Sequence, residues 1–148
     1  MKSTLHRIYF DGGQYKNLAC ILDVDKPYIR IKELNTIYPP TALVMEYYAF
    51  YHAINYINTF KLLNESVIEN KSKEFTLYGD SQTVIKYMKN CHNGWTTGNT
   101  LLDKLKNECH DVLNILKLKG YNIDIQWTPR KTNLAGRVLT SIKHFTKY

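Results

Sequence analysis

A chain of 148 residues, 44% apolar and 22% charged, has the size of one ordinary domain and a globular composition, which excludes a disordered chain and a coiled coil. No apolar run approaches the roughly 20 residues that cross a bilayer, and the start, Met1-Lys2-Ser3-Thr4-Leu5-His6-Arg7, lacks the apolar core of a signal peptide, so no membrane association is expected. Twenty Lys and Arg against 13 Asp and Glu give a net charge of +7, and such a surface attracts polyanions, nucleic acid among them. Three cysteines, Cys20, Cys91 and Cys109, are odd in number, widely spaced and without metal-ligand spacing. They read as reduced thiols in a cytoplasmic compartment. Lys outnumbers Arg by 16 to 4, a bias that fits an AT-rich coding genome such as that of a phage, a virus or a low-GC bacterium.

Leu5 to Phe10 is short, apolar and aromatic and runs into Asp11-Gly12-Gly13, which predicts a strand ending in a turn. Leu18 to Leu22 predicts a second strand, with Asp23 to Pro27 as its turn. Tyr28 to Ile37 alternates apolar and polar residues through Ile29, Ile31 and Ile37 and predicts a third, half-buried strand. Tyr38-Pro39-Pro40 stops it. Thr41 is a good N-cap for a long helix over Ala42 to Leu63, with a stripe of Ala42, Ala49, Phe50, Ala53, Ile57 and Phe60. A polar loop, Asn64 to Lys73, precedes a fourth strand, Phe75 to Tyr78, closed by Gly79-Asp80. Ser81 caps a short helix carrying Val84, Ile85 and Met88. Cys91 to Asn99 is a turn-rich loop. Leu101, Leu102, Leu105, Cys109, Val112 and Leu116 mark another amphipathic helix, closed by Gly120. Ile123 to Trp127 is the fifth strand; Pro129 breaks it, and a last helix runs from about Asn133 to His144. No repeat or linker interrupts residues 1–148, so one domain is expected. Three hairpin-linked strands, followed by strands separated by helices, predict a mixed five-stranded α/β sheet, antiparallel then parallel, flanked by helices.

Three acidic residues stand out on this map. Asp11 and Asp80 lie at the ends of predicted strands, and Glu46 lies on the apolar stripe of the long helix, three residues before Ala49 and four before Phe50. Each has an ordinary explanation alone: Asp-Gly is a turn, Asp80 assists a helix start, and Glu46 reaches water from the edge of its stripe. Together they form a hard, all-oxygen set suited to Mg²⁺ or Mn²⁺, at strand ends where open α/β sheets bind ligands. Such a set can hold two ions that clamp both oxygens of a phosphodiester displacement.

Four segments, in this order, resemble the type 1 ribonuclease H family: Ile8-Tyr9-Phe10-Asp11-Gly12-Gly13, Met45-Glu46-Tyr47-Tyr48-Ala49, Tyr78-Gly79-Asp80-Ser81-Gln82-Thr83-Val84 and Trp127-Thr128-Pro129-Arg130-Lys131-Thr132-Asn133-Leu134-Ala135. The resemblance spans nearly the whole chain and implies a ribonuclease H-like fold. It implies a metal-dependent endoribonuclease that hydrolyses the RNA strand of RNA–DNA hybrids with two Mg²⁺ or Mn²⁺ ions, held by Asp11, Glu46 and Asp80, and acting as a monomer. It further implies that Gly12 and Gly13 let the backbone approach the RNA minor groove, where 2′-hydroxyls are displayed, and that Ser81 and Gln82 lie at the groove edge. Trp95 and Thr97, in Asn93-Gly94-Trp95-Thr96-Thr97, would follow the DNA strand, and Arg130 and Asn133 would contact substrate. The family places a fourth Asp directly after the Ala of the last segment; this chain has Gly136 there.

Gly136 opens a second expectation from another class, a catalytically impaired ribonuclease H-like module that binds RNA–DNA hybrid, double-stranded RNA or a protein partner. A third, a junction resolvase of the same superfamily, is opposed by the Glu on the long helix.

Overall fold

The computed structural model describes residues 5–64, 74–90 and 98–145. Five strands, β1 (Leu5–Gly13), β2 (Leu18–Asp23), β3 (Tyr28–Glu33), β4 (Glu74–Gly79) and β5 (Asn122–Trp127), form one sheet in the order β3-β2-β1-β4-β5. The β1–β2 and β2–β3 pairs are antiparallel, and the β1–β4 and β4–β5 pairs are parallel. Four helices, α1 (Ala42–Asn64), α2 (Gln82–Asn90), α3 (Thr100–Leu118) and α4 (Leu134–Phe145), flank it. This is the mixed sheet expected from the pattern of strands and helices. None of the described helices is long and apolar enough to cross a membrane.

Helix starts follow the capping residues. The Thr41 hydroxyl accepts from Val44 N at 3.1 Å, the Ser81 hydroxyl from Val84 N at 3.3 Å, and the Asn99 carboxamide from Leu102 N at 3.1 Å. Each satisfies an amide that the first helical turn leaves without an intrahelical partner.

Four expectations are corrected. The first strand does not end at Asp11, because its antiparallel pairing with β2 continues through Asp11–Cys20 and Gly12–Ala19 to Gly13–Leu18. The third strand stops at Glu33, where its partner begins at Leu18; Ile37 beyond it is 93% exposed. Ile29 and Ile31 are exposed rather than half-buried. Their register puts them on the Asp11–Cys20 face, which α4 covers over β1 and β2 but not over the edge strand. On α1, Ala42 is exposed, whereas Val44, Met45, Tyr47 and Ile54 join the core because α1 is packed between the sheet and α3.

A buried carboxylate ties α1 to the antiparallel edge. Asp23 is fully buried, accepts from the Tyr56 hydroxyl at 2.7 Å, and lies 3.6 Å from His6 Nδ1. Its other oxygen accepts from the backbone of Asp25 and Lys26. Burial pushes its pKa up, but the adjacent His6 imidazole and the Tyr56 hydrogen bond outweigh this and hold it below the usual carboxylate range. A lowered acid stabilises the fold above its ordinary pKa and loses that contribution as pH falls through the lowered value. Tyr56→Phe keeps the ring that stacks on Tyr28 but removes one charge-assisted hydrogen bond. We expect a loss of about 1.5–3 kcal/mol at pH 7, shrinking in acid, in denaturant melts; a pH-independent loss would refute the assignment.

Candidate active site

The strand register builds the centre of the site. Parallel pairing of β1 with β4 ends at Tyr9–Tyr78. Asp11 and Asp80 each lie two residues past that rung, so they face each other where the two strands part. Helix α1 supplies the third group. A Cβ on Gly12 would stand 1.9 Å from the Met45 carbonyl oxygen, so only glycine lets the α1 backbone close onto β1 and bring Glu46, next in chain, to Asp11. Asp11, Glu46 and Asp80 each place a carboxylate oxygen within 4.8 Å of the other two.

The surrounding groups hold this arrangement. Asn133 is fully buried; its amide nitrogen donates to Phe10 O at 3.0 Å and to the Asp80 carboxylate at 3.1 Å. Its amide oxygen accepts from Ala135 N and Gly136 N at the start of α4. One side chain therefore ties β1, Asp80 and α4 together. The Trp127 indole N–H donates to Asp80 O at 3.3 Å, and Thr128 N donates to Gly79 O at 2.9 Å.

Electrostatically the cluster carries too much negative charge for its burial. Burial and then the charge of Asp80 raise the Asp11 pKa, with Glu46 and Arg130 acting against them. Burial and then the charges of Asp11 and Asp80 raise Glu46 further, so it retains a proton at neutral pH. Glu46 Oε2 is buried without a hydrogen-bond partner. Hard oxygens, mutual repulsion and an orphaned oxygen are the conditions a divalent cation relieves. The residues present fit such an ion.

This predicts an unusual stability profile. Without metal, native Glu46 keeps its proton while the unfolded chain releases it from the ordinary value of 4.5 upward. The native state thus loses stability as pH rises between there and about 10, by at most about 1.4 kcal/mol per pH unit. Glu46→Gln removes that slope. In EDTA the variant should melt higher than the wild type, with a gap that widens from pH 6 to pH 9. Parallel melting profiles would show that Glu46 is not strained.

The residues expected to meet substrate divide. Gly13 is half-buried with open space at its α-carbon, Ser81 is half-buried and Gln82 exposed at the start of α2, and Arg130 is exposed with its charge acting on Asp11 and Glu46. Gly12 is buried and what its missing side chain admits is α1; Asn133 is fully buried and braces the site from inside. Neither offers a surface to substrate, because a register and a helix packing that no local pattern reveals enclose them. Trp95 and Thr97 lie outside the described residues. Trp127, which opens the last of the four resembling segments, joins the site through its hydrogen bond to Asp80 O, and its place at the end of β5, beside β4, is the signal for it in the sequence. Gly136 is buried on α4, and a Cβ there would stand 3.1 Å from the Asp11 carboxylate.

No protein-family model matches the sequence, and no curated protein does. Solved structures do match. Ribonuclease H1 from the halophilic archaeon Halobacterium salinarum NRC-1 aligns with a TM-score of 0.59 at 23% identity, over 92% of this chain and 94% of that one. The chain has a ribonuclease H-like fold. The N-terminal ribonuclease H domain of rv2228c from Mycobacterium tuberculosis aligns at 0.60 and 20% identity, over 97% of this chain and 99% of that chain. LC11-RNase H1, solved in complex with an RNA/DNA hybrid, aligns at 0.61 and 17% identity, over 87% and 88%.

Proposed function

We propose that this protein is a divalent-metal-dependent endoribonuclease that hydrolyses the RNA strand of RNA–DNA hybrids, working as a single-domain monomer. The observation that carries the reading is the convergence of Asp11, Glu46 and Asp80, with the Glu46 oxygen buried and unpartnered, on a fold shared with ribonucleases H1. Two ions, Mg²⁺ or Mn²⁺, would supply a nucleophile active at neutral pH and charge stabilisation of the leaving oxygen. Asp11, Glu46 and Asp80, whose carboxylate oxygens lie within 4.8 Å of one another, would hold these ions. Asn133 keeps Asp80 turned inward through its 3.1 Å hydrogen bond. Arg130 brings a guanidinium to a phosphate approaching the cluster, and Gly13, Ser81 and Gln82 border the groove beside it. Trp95 and Thr97 would follow the DNA strand. Gly136 contributes no oxygen, so activity would be lowered and Mn²⁺ favoured, because Mg²⁺ tolerates distorted coordination poorly.

Gly136 is also the specific reason for a second reading, a module that binds hybrid, double-stranded RNA or a protein partner without cutting. Incubating labelled RNA–DNA hybrid with the protein in Mg²⁺, Mn²⁺ or EDTA separates the two. Metal-dependent nicking of the RNA strand is expected. Binding without nicking in either metal favours the module, and neither binding nor nicking overturns both readings.

A further inference from the structure

A pocket of about 710 Å³ opens from the carboxylates along α4. Asp11 and Glu46 line its inner end, and Arg130, Lys131, Arg137 and Lys143 line the rest. Among the described residues, none of these four cations lies within ion-pair distance of a carboxylate. All four are exposed. Four like charges around one concavity repel one another, and surface charge distributed for solubility alone gains nothing from such a gathering.

The wall opposite α4 is built to stay in place. Gln14 donates from its side chain to Pro40 O at 3.1 Å, anchoring the β1–β2 turn to the segment before α1. Lys16 and Asn17 take positive φ values of 55° and 53° there, which folds the turn tightly. Tyr15 on this turn lines the pocket, with the ammonium groups of Lys16 and Lys143 5.6 and 6.0 Å from its ring centre. The ring thereby gathers further positive charge at the outer end.

We propose that this pocket seats the nucleic-acid strand next to the phosphate engaged at the carboxylates, with Arg137 and Lys143 as its phosphate contacts. This deepens the proposed function and rests on it. A strand whose phosphate reaches Asp11 must continue away from the cluster, and beyond Asp11 and Glu46 the pocket lining offers it cations and no further acid. Arg137 and Lys143 are six residues apart on α4, about 9 Å along the helix axis. They therefore meet different phosphates of one strand. Gly136, one residue before Arg137, leaves the passage between cluster and pocket free of a side chain.

The test is anisotropy of labelled RNA–DNA hybrid with the full chain in EDTA across a salt series. Each lost phosphate contact lowers the slope of log affinity against log salt by about 0.9. The double variant Arg137→Gln with Lys143→Gln should lose nearly two units of slope, and Arg137→Lys with Lys143→Arg should keep the wild-type slope. Lys104→Gln with Lys117→Gln, on α3 away from the pocket, should also keep it. An unchanged slope in the pocket variant, or an equal loss in the α3 variant, overturns the inference. In either case nicking by the wild-type chain in metal would leave the proposed function standing. A wild-type chain that binds no hybrid in EDTA and nicks none in metal brings down both.

Discussion

Asp11→Asn should reduce nicking of an RNA–DNA hybrid by on the order of a thousandfold, the loss typical when a principal electrostatic group of an active site is removed. Asp11 lies with Glu46 and Asp80 in a cluster whose oxygens are within 4.8 Å of one another, so its loss removes one of the three carboxylates that would hold the metal. The side chain keeps its size, and the fold should survive. The metal-free variant should melt higher than the wild type, because burial and the charge of Asp80 both oppose ionisation of Asp11. Hybrid binding in EDTA should hold or tighten, since one negative charge facing the phosphates is gone. A variant that folds, binds and still nicks within tenfold of the wild-type rate would show that the chemistry lies elsewhere.

Gly136→Asp should raise nicking on the order of tenfold, by the scale on which metal-site partners act, and more in Mg²⁺ than in Mn²⁺. A carboxylate at this point of α4 adds an oxygen beside Asp11, and Mg²⁺ gains more because it demands near-ideal octahedral coordination. Geometry works against the gain. A Cβ on residue 136 would stand 3.1 Å from the Asp11 carboxylate, so α4 or the Asp11 side chain must yield by a few tenths of an ångström. Gly136→Ala makes the same intrusion without the carboxylate and is the proper reference. Alanine also removes the roughly 1 kcal/mol cost of glycine in a helix, so rates are compared at equal folded fraction. Gly136→Asp faster than Gly136→Ala supports a ligand role. Should both variants and the wild type bind hybrid and leave it intact, catalysis has been lost by more than one change, and the binding module is the better description.

The strands, the helices and the mixed character of the sheet, antiparallel then parallel, follow from local periodicity, capping residues and crossover rules. Thr41, Ser81 and the strand-to-helix steps act over a few residues, and a few residues suffice to read them. The acidic triad was also visible, because a Glu on an apolar helical stripe and two Asp residues beside strands are each anomalous where they stand. Long-range contacts decided the rest. Asp11 and Asp80 meet because β1 and β4 share a parallel register, which 69 residues of separation conceal. Gly12 read as an opening to substrate, yet its α-carbon is where α1 rests on β1. Asn133 read as a substrate contact, yet its amide spans Phe10, Asp80 and the start of α4. Ile29 and Ile31 alternate as a half-buried strand should, yet nothing among the described residues covers their face at the sheet edge. Gly136 had no rationale in helix propensity and acquires one from the Asp11 carboxylate beside it. Side-chain periodicity reports which face of an element avoids water, whereas the identity of the neighbour across that face depends on register and helix docking, which are set by packing between segments far apart in the chain.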